Sequence, residues 1–282
     1  MPETSSRKPE GGYRANWDPK NLFIGTAEYY ARYRPGYPPK AIRTLAEKFG
    51  LNEGSRVIDL GCGPGKIALK LAPYVGEVIA IDPQEEMLEE GRKIAARRNI
   101  NNIIWRNGLS TELTGMVKAP GEIDLVVIAR AFHWMDRKKT LEDVYSVVRA
   151  GGGIAVINDR DPLNQPEVAW REIIKAMIRE WLGEERRAGT AGTFAPLPKT
   201  HEEVVQESRF RDMIVIYLNT MRTWTTDRII GYVFSTSYAS VPVLGEKKEA
   251  FEADLRRRLT GLEPSGRFRE RATTEIIMAW KR

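Results

Sequence analysis

Between residues 56 and 157, short uninterrupted apolar runs alternate with longer stretches whose apolar residues recur at helical spacing. Arg56 to Leu60 predicts a buried strand and Lys66 to Tyr74 a helix. Glu77 to Asp82 predicts a second strand, Gln84 to Arg98 a second helix, and Asn102 to Arg106 a third strand. Asp124 to Ala129 is apolar after its first residue, as suits a strand covered on both faces. Lys139 to Val148 is helical, Ala150 to Gly153 a turn, and Ile154 to Ile157 a fifth strand. Upstream, an amphipathic run from Phe23 to Ala31 precedes the turn-rich stretch from Arg34 to Pro39 and a helix from Ala41 to Phe49. Such alternation implies an α/β fold: a doubly wound, mostly parallel sheet that binds ligands at the carboxyl ends of its strands.

The rhythm breaks after Asn158. Helical candidates at Glu167 to Leu182 and His201 to Ser208 flank a loop rich in small residues, Gly189 to Lys199. Strand character returns at Met213 to Leu218 and Thr274 to Trp280, with helical runs at Thr226 to Tyr238 and Lys247 to Leu259. The expected architecture is therefore a seven-stranded sheet with a helical cap. Residues 1–20 are expected to be mobile, 21–158 to form the core with an N-terminal lid, 159–211 a helical cap insertion, and 212–282 the rest of the sheet with further cap helices.

Composition narrows the chemistry. The 282 residues carry 44 Lys and Arg against 38 Asp and Glu, a net charge of +6 dispersed along the chain, which is a poor basis for a nucleic-acid partner. Cys62 is the sole cysteine and can form no internal disulfide, and with only His133 and His201 beside it no Cys/His zinc site can be completed. No metal is expected. A reducing, cytoplasmic setting is, because the first twenty residues lack the apolar core of a secretory signal and no window approaches a membrane span.

Candidate chemistry sits where the first strand turns into the first helix of the alternating region: Asp59-Leu60-Gly61-Cys62-Gly63-Pro64-Gly65. Glycines at such a turn let backbone N–H groups approach a ligand closely. A P-loop needs four residues between its first glycine and the Gly-Lys pair; here there are three, and Ile67 stands where Ser or Thr would bind magnesium. A dinucleotide fingerprint needs glycine where Lys66 stands. The remaining pattern is acid-x-Gly-x-Gly-x-Gly followed by an acid that closes the next strand. Asp82 fills that place, 17 residues past Gly65, and a carboxylate there can accept hydrogen bonds from vicinal ribose hydroxyls.

With these motifs the sequence resembles the class I S-adenosylmethionine-dependent methyltransferases, in particular the small-molecule branch called type 11 and its trans-aconitate methyltransferase-like group. Five stretches carry the likeness: Tyr30 to Pro38, Val57 to Gly65, Ala80 to Pro83, Ala131 to Trp134, and Arg149 to Gly153. The resemblance implies a Rossmann-like methyltransferase fold and S-adenosyl-L-methionine as cofactor. By position, Asp59, Gly61, Gly63 and Gly65 would embrace its methionine part, and Asp82 would hold the ribose with Pro83 and Met87 near it or the adenine. Asn107, Gly108 and Leu109 match the loop beside the adenine. Leu109-Ser110 stands where the family often has an acid, which leaves a backbone contact for that role. Ala129 and Phe132 would border the cofactor, and Tyr30 would close over it.

Methyl transfer from a sulfonium is an in-line displacement, so the protein mainly holds the nucleophile in line and excludes water. His133 is the candidate base for a hydroxyl acceptor; the alternative is a histidine that only shapes the pocket. Trp134, Trp224 and Tyr238 are candidates for an acceptor pocket or for plain core packing, and Phe132 shares that choice. Arg34, with Tyr37 in the same Arg-Pro-Gly-Tyr-Pro stretch, could meet an anionic acceptor, as could Arg130 and Arg160; Arg34 could equally pair with a neighbouring carboxylate. His201, flanked by Glu202 and Glu203, is expected on a solvated helix face. O-methylation of a carboxylate or hydroxyl of a small acceptor is the leading expectation. Alternatives are an S-adenosylmethionine-binding protein that catalyses cyclisation or rearrangement or serves regulation, and an RNA methyltransferase, although the base-amine signature is missing after the fourth strand. Oligomeric state is left open.

Overall fold

A computed structural model describes residues 18–117, 121–159, 168–185, 187–194 and 197–282. The expected mobile stretch 1–20 and Arg160 therefore fall wholly or mostly outside the described residues. In chain order, helices α1 (Ala27–Tyr33) and α2 (Pro39–Lys48) precede strand β1 (Arg56–Leu60). Then follow α3 (Ala68–Leu71), β2 (Glu77–Asp82), α4 (Glu85–Arg97), β3 (Ile103–Asn107), α5 (Leu113–Met116), β4 (Ile123–Ala129), α6 (Arg137–Val147) and β5 (Val148–Asp159). The second half adds α7 (Ala169–Leu182), the two-residue strands β6 (Arg187–Ala188) and β7 (Gly192–Thr193), α8 (His201–Gln206) and the long strand β8 (Arg211–Thr225). Helices α9 (Thr226–Phe234), α10 (Val241–Leu244) and α11 (Lys248–Leu262) lead to the last strand, β9 (Arg267–Trp280).

Seven strands form one sheet in the order β3-β2-β1-β4-β5-β9-β8. The five from β1 to β5 are parallel, and β9 runs antiparallel between β5 and β8. The expected doubly wound, mostly parallel, seven-stranded sheet is what forms. The order in which successive strands are added reverses between the parallel strands β1 and β4, which opens a crevice at their carboxyl ends. On one face α2, α3 and α4 cover Val57, Val78, Leu125 and Val127; on the other α5 and α6 cover Ile58, Ile79, Val126 and Ile128. Burial on both faces is the reason β1, β2 and β4 read as unbroken apolar runs.

Two expectations change. The strands of the final antiparallel pair are far longer than their apolar stretches: β8 runs to Thr225 and β9 begins at Arg267. Beyond Leu218 the strand alternates, with Leu218 and Trp224 buried and Tyr217, Met221 and Thr223 exposed, so a search for continuous apolar runs ends too early. The far end of this antiparallel pair, from which α9 to α11 depart, becomes part of the cap: Trp224 and Phe268 join Trp170, Ile174, Phe234, Phe251 and Leu255 in a separate hydrophobic cluster. Helix α8, expected in the cap, does not belong there. Its Val204 and Val205 pack into the sheet face beneath α6.

Candidate active site

The glycine loop after β1 shows why the sequence needs its glycines. Gly61 and Gly63 both have positive φ, 72° and 53°. A Cβ on Gly61 would come within 2.5 Å of the Ala131 side chain, and one on Gly63 would sit 3.7 Å from the Tyr30 ring. Gly65 also has positive φ, 71°, and leaves room for Trp105, which would lie 2.4 Å from its Cβ.

The two acids serve the loop through backbone N–H groups. Asp82, at the end of β2, accepts Gly63 N at 2.8 Å and Gln84 N at 2.9 Å. Asp59 Oδ2 accepts Ala68 N at 2.9 Å, and its Oδ1 is buried with no partner among the described residues. Burial pushes the Asp59 carboxyl up to about 7, with the Asp82 charge adding to it and the Ala68 N–H opposing. Burial likewise raises Asp82 to about 6 against its two N–H donors. A cationic ligand group between them would favour both charged forms.

Above this floor lies a cleft of about 720 Å³, counting its open mouth. Tyr30, Gly61, Gly63, Asp82, Pro83, Met87, Gly108 and Leu109 line it, all of them sequence candidates. Asp59, Gly65, Asn107, Ala129 and Phe132 lie outside that lining. Asp59 and Gly65 support the loop from behind, as above; Asn107 donates to Pro83 O at 3.2 Å; and Ala129 is buried at the end of β4. Phe132 turns inward through the 3-10 turn Phe132–Trp134 and meets His201 at 5.2 Å between ring centroids, which leaves Trp134 facing the cleft. Phe23, Gln84 and Met135 also line the cleft, and nothing in the sequence reading had marked them.

The N-terminal segment is strapped over the cleft by core side chains. Gln84 Nε2 donates to Pro19 O and Lys20 O at 3.1 and 2.6 Å, and Glu86 accepts Gly25 N at 3.0 Å. Lys66 Nζ donates to Ala31 O at 2.8 Å; burial first, then nearby Arg130 and Arg34, lower it to about 8. Tyr30 is thereby held against the glycine loop.

A second chamber of about 730 Å³ adjoins the first, and the two share Phe23, Tyr30, Arg130 and Trp134 in their walls. Arg34, His133, Trp134 and Tyr238 line it as expected candidates; Asn158, Asp159, Arg222, Tyr232 and Ser237 join them. Arg34 donates to Ser235 O at 3.3 Å and stacks over Tyr30 and Tyr232. Tyr37 stays behind the wall, buried, with the Arg130 guanidinium over its ring. Trp224 lies in neither lining: it is fully buried in the cap beside Trp170 and Tyr232.

His133 is half-buried, 4.9 Å from Trp134 and stacked 6.3 Å from His201 between ring centroids. His201 corrects an expectation. Its side chain is buried, with Arg137 Nη1 3.3 Å from Nδ1, and burial followed by the Arg137 charge lowers it to about 4. The ring is neutral at physiological pH. Its inward turn had a sequence signal: His201, Val204 and Val205 share one helix face at i, i+3 and i+4.

Among the described residues no group of three or more His, Cys, Asp or Glu could hold a metal ion, and no helix is long and apolar enough to cross a membrane. A glycine loop at the switch point, an acid closing the next strand and a lid-covered cleft define a nucleoside-binding α/β enzyme fold. Comparison with known proteins gives the class. Residues 57–152 match the family described as a methyltransferase domain. An uncharacterized methyltransferase of Schizosaccharomyces pombe is 30% identical over 55% of this chain and 57% of its own length. One from Mycobacterium bovis is 33% identical over 47% of this chain and 50% of its own. The chain thus spans about half the length of the curated relatives it matches. A Talaromyces variabilis relative, 25% identical over 48% of this chain, is named an S-adenosyl-L-methionine-dependent Diels-Alderase. Among solved structures, a candidate type II methyltransferase from Anaeromyxobacter dehalogenans covers 89% of this chain and 98% of its own at a TM-score of 0.58 and 20% identity. The YcgJ protein of Bacillus subtilis covers 86% and 98% at 0.54 and 15%. The chain carries a class I S-adenosylmethionine-dependent methyltransferase domain. The cleft offers that cofactor bare backbone at Gly61 and Gly63 and the Asp82 carboxylate in its lining.

Proposed function

We propose that this chain methylates an oxygen of a small organic acceptor, a carboxylate or a hydroxyl, held in the second chamber. The observation that carries this reading is the shared wall between the two chambers, where Tyr30, Phe23, Arg130 and Trp134 touch both. S-adenosylmethionine, when bound, supplies a methyl group already activated on sulfur. The chain's own task is then alignment and exclusion of water. Asp82 and the loop N–H groups fix one end of the cleft, and the lid held by Lys66, Gln84 and Glu86 covers it. His133 stands in the acceptor chamber, where it would take the proton of a hydroxyl acceptor; a carboxylate needs no base. Arg34 would meet an anionic acceptor, and Tyr238 would bound the pocket. The partner is accordingly a small molecule, with nucleic acid disfavoured and a cytoplasmic setting.

A second reading follows from the Diels-Alderase relative: the cofactor could stay intact while the second chamber holds a rearranging substrate. Labelled-methyl transfer from the cofactor over a panel of carboxylates, phenols and amines separates the two. Label appearing on an oxygen supports methyl transfer. Binding of cofactor with no label leaving it in any mixture would overturn it.

A further inference from the structure

The wall that the two chambers share holds Phe23, Tyr30, Arg130 and Trp134: three aromatic rings, one arginine and, among the described residues, no carboxylate. The rings stand in a fixed arrangement. Phe23 is edge-to-face with Tyr30 at 6.0 Å and 89°, and with Trp134 at 5.7 Å and 86°. Such contacts set the electron-poor edge of one ring against the electron-rich face of another, so each ring orients its neighbour. Local ties hold Phe23 in place. Its carbonyl accepts Thr26 N at 3.1 Å and Thr26 Oγ1 at 2.7 Å, and Thr26 is fully buried. Gln84 grips the chain just before Phe23, at Pro19 and Lys20, and Glu86 grips it just after, at Gly25.

The charged groups around this wall are engaged with one another. Arg130 pairs with Asp159, donates to Pro35 O at 2.9 Å, and lies over the Tyr37 ring. Arg222 donates to the same Asp159 carboxylate at 2.5 Å. Arg34 lies over Tyr30, 5.1 Å from the ring centroid, so a guanidinium already uses that ring. No cation lies over Phe23 among the described residues. A methyl group leaving the first chamber for the second must cross the shared wall, which sets the atom that carries it beside these rings. In S-adenosylmethionine that atom is a positively charged sulfonium; in S-adenosylhomocysteine it is a neutral thioether.

We infer that Phe23, together with Trp134, reads the charge on the cofactor's sulfur, so that the chain distinguishes S-adenosylmethionine from its demethylated product by attraction to aromatic rings. A sulfonium, like a quaternary ammonium, has no proton to donate, so ring quadrupoles answer its charge where hydrogen-bond acceptors do not. With no carboxylate in the shared wall, the rings are the electron-rich side chains available there. The thioether lacks that attraction, and the product is therefore held less tightly than the donor. The inference rests on the second chamber being the acceptor site, because that reading sets the sulfur at the shared wall. Phe23 becomes a specificity-determining residue for the cofactor, contributed by the N-terminal strap rather than by the glycine loop.

Calorimetry with three ligands tests it: S-adenosylmethionine, the neutral S-adenosylhomocysteine, and sinefungin, which carries an ammonium where S-adenosylmethionine carries its methylsulfonium. Phe23→Leu keeps an apolar side chain and removes the ring. It should weaken S-adenosylmethionine and sinefungin by about three- to tenfold more than it weakens S-adenosylhomocysteine. Phe23→Tyr, which retains a ring, should keep the original ratio of affinities, and Trp134→Leu should shift it in the same direction as Phe23→Leu. If Trp134→Leu unfolds, Phe23→Leu, at a half-buried position of the strap, carries the comparison alone. Equal weakening of the charged and neutral ligands, or an unchanged ratio in folded Phe23→Leu, overturns the inference. Methyl label reaching an oxygen acceptor alongside an unchanged ratio would sink it while sparing the methyl-transfer reading. A ring-dependent ratio with no label leaving the cofactor would do the reverse.

Discussion

The two chambers are assembled by opposite means. The first cleft has a floor made by neighbours in sequence: a loop of seven residues presents Gly61 and Gly63 with Asp59 and Gly65 behind them, and the next strand supplies Asp82. Its polar groups are largely backbone N–H groups, which any residue carries and which only glycine exposes. The acceptor chamber is made by residues far apart in the chain. Arg130 and Asp159 are separated by 29 positions, Asp159 and Arg222 by 63, and Arg171 and Glu270 by 99. Its polar groups are charged side chains that must be brought together and neutralised against each other. A local, backbone-built cleft suits a cofactor that does not change; a long-range, side-chain-built chamber lets acceptor choice be altered without disturbing the loop.

That contrast can be broken at several points. The largest effect is expected from Arg171→Met, which leaves the buried Glu270 with only Arg222, 3.9 Å away, and should cost about 3–5 kcal/mol of stability by denaturant unfolding. Combining it with Glu270→Leu should recover most of the loss; no recovery would mean that packing, not charge, dominates there. Asp82→Ala removes the acceptor of two loop N–H groups and should weaken S-adenosylhomocysteine binding on the order of 10²-fold by calorimetry. Unchanged affinity would remove Asp82 from the cofactor site.

Gly61→Ala combines positive φ with a 2.5 Å approach to Ala131 and should destabilise the chain by about 1–3 kcal/mol. A pH-dependent effect belongs to Asp59. Its folded carboxyl titrates near 7 against an ordinary value of 3.8, so the folded state binds the extra proton between those limits. Stability of the cofactor-free chain should therefore fall as pH rises from about 4 to about 7, by at most roughly 1.4 kcal/mol per pH unit. Asp59→Asn should reduce that slope, leaving the part set by Asp82 below about pH 6, and thermal melts across the range would read it.

The cofactor half was legible because its signals are local: unbroken apolar strands, glycines at one turn, an acid at the next strand end. Arg222 was missed for a definite reason. Past Leu218 strand β8 carries alternating rather than continuous apolar residues, and only an extension of that period by two more pairs places Arg222 on the face shared by Leu218 and Trp224. Trp224 was assigned to the acceptor because aromatic residues suit either a pocket or a core, and the sequence does not say that the far end of the β8–β9 pair rises into the cap. His201 was placed on the surface by its acidic neighbours, although its spacing to Val204 and Val205 pointed inward.

By itself, then, the sequence determined the sheet, the glycine turn after the first strand, and the acid that closes the second strand, since each depends on residues within one strand–turn–helix unit. Tertiary structure alone decided which arginines share Asp159, which aromatic side chains line the second chamber, and which histidine is buried. Those outcomes depend on burial and on charges meeting across long stretches of chain, and neither burial nor pairing at that distance is a property of any local stretch of sequence.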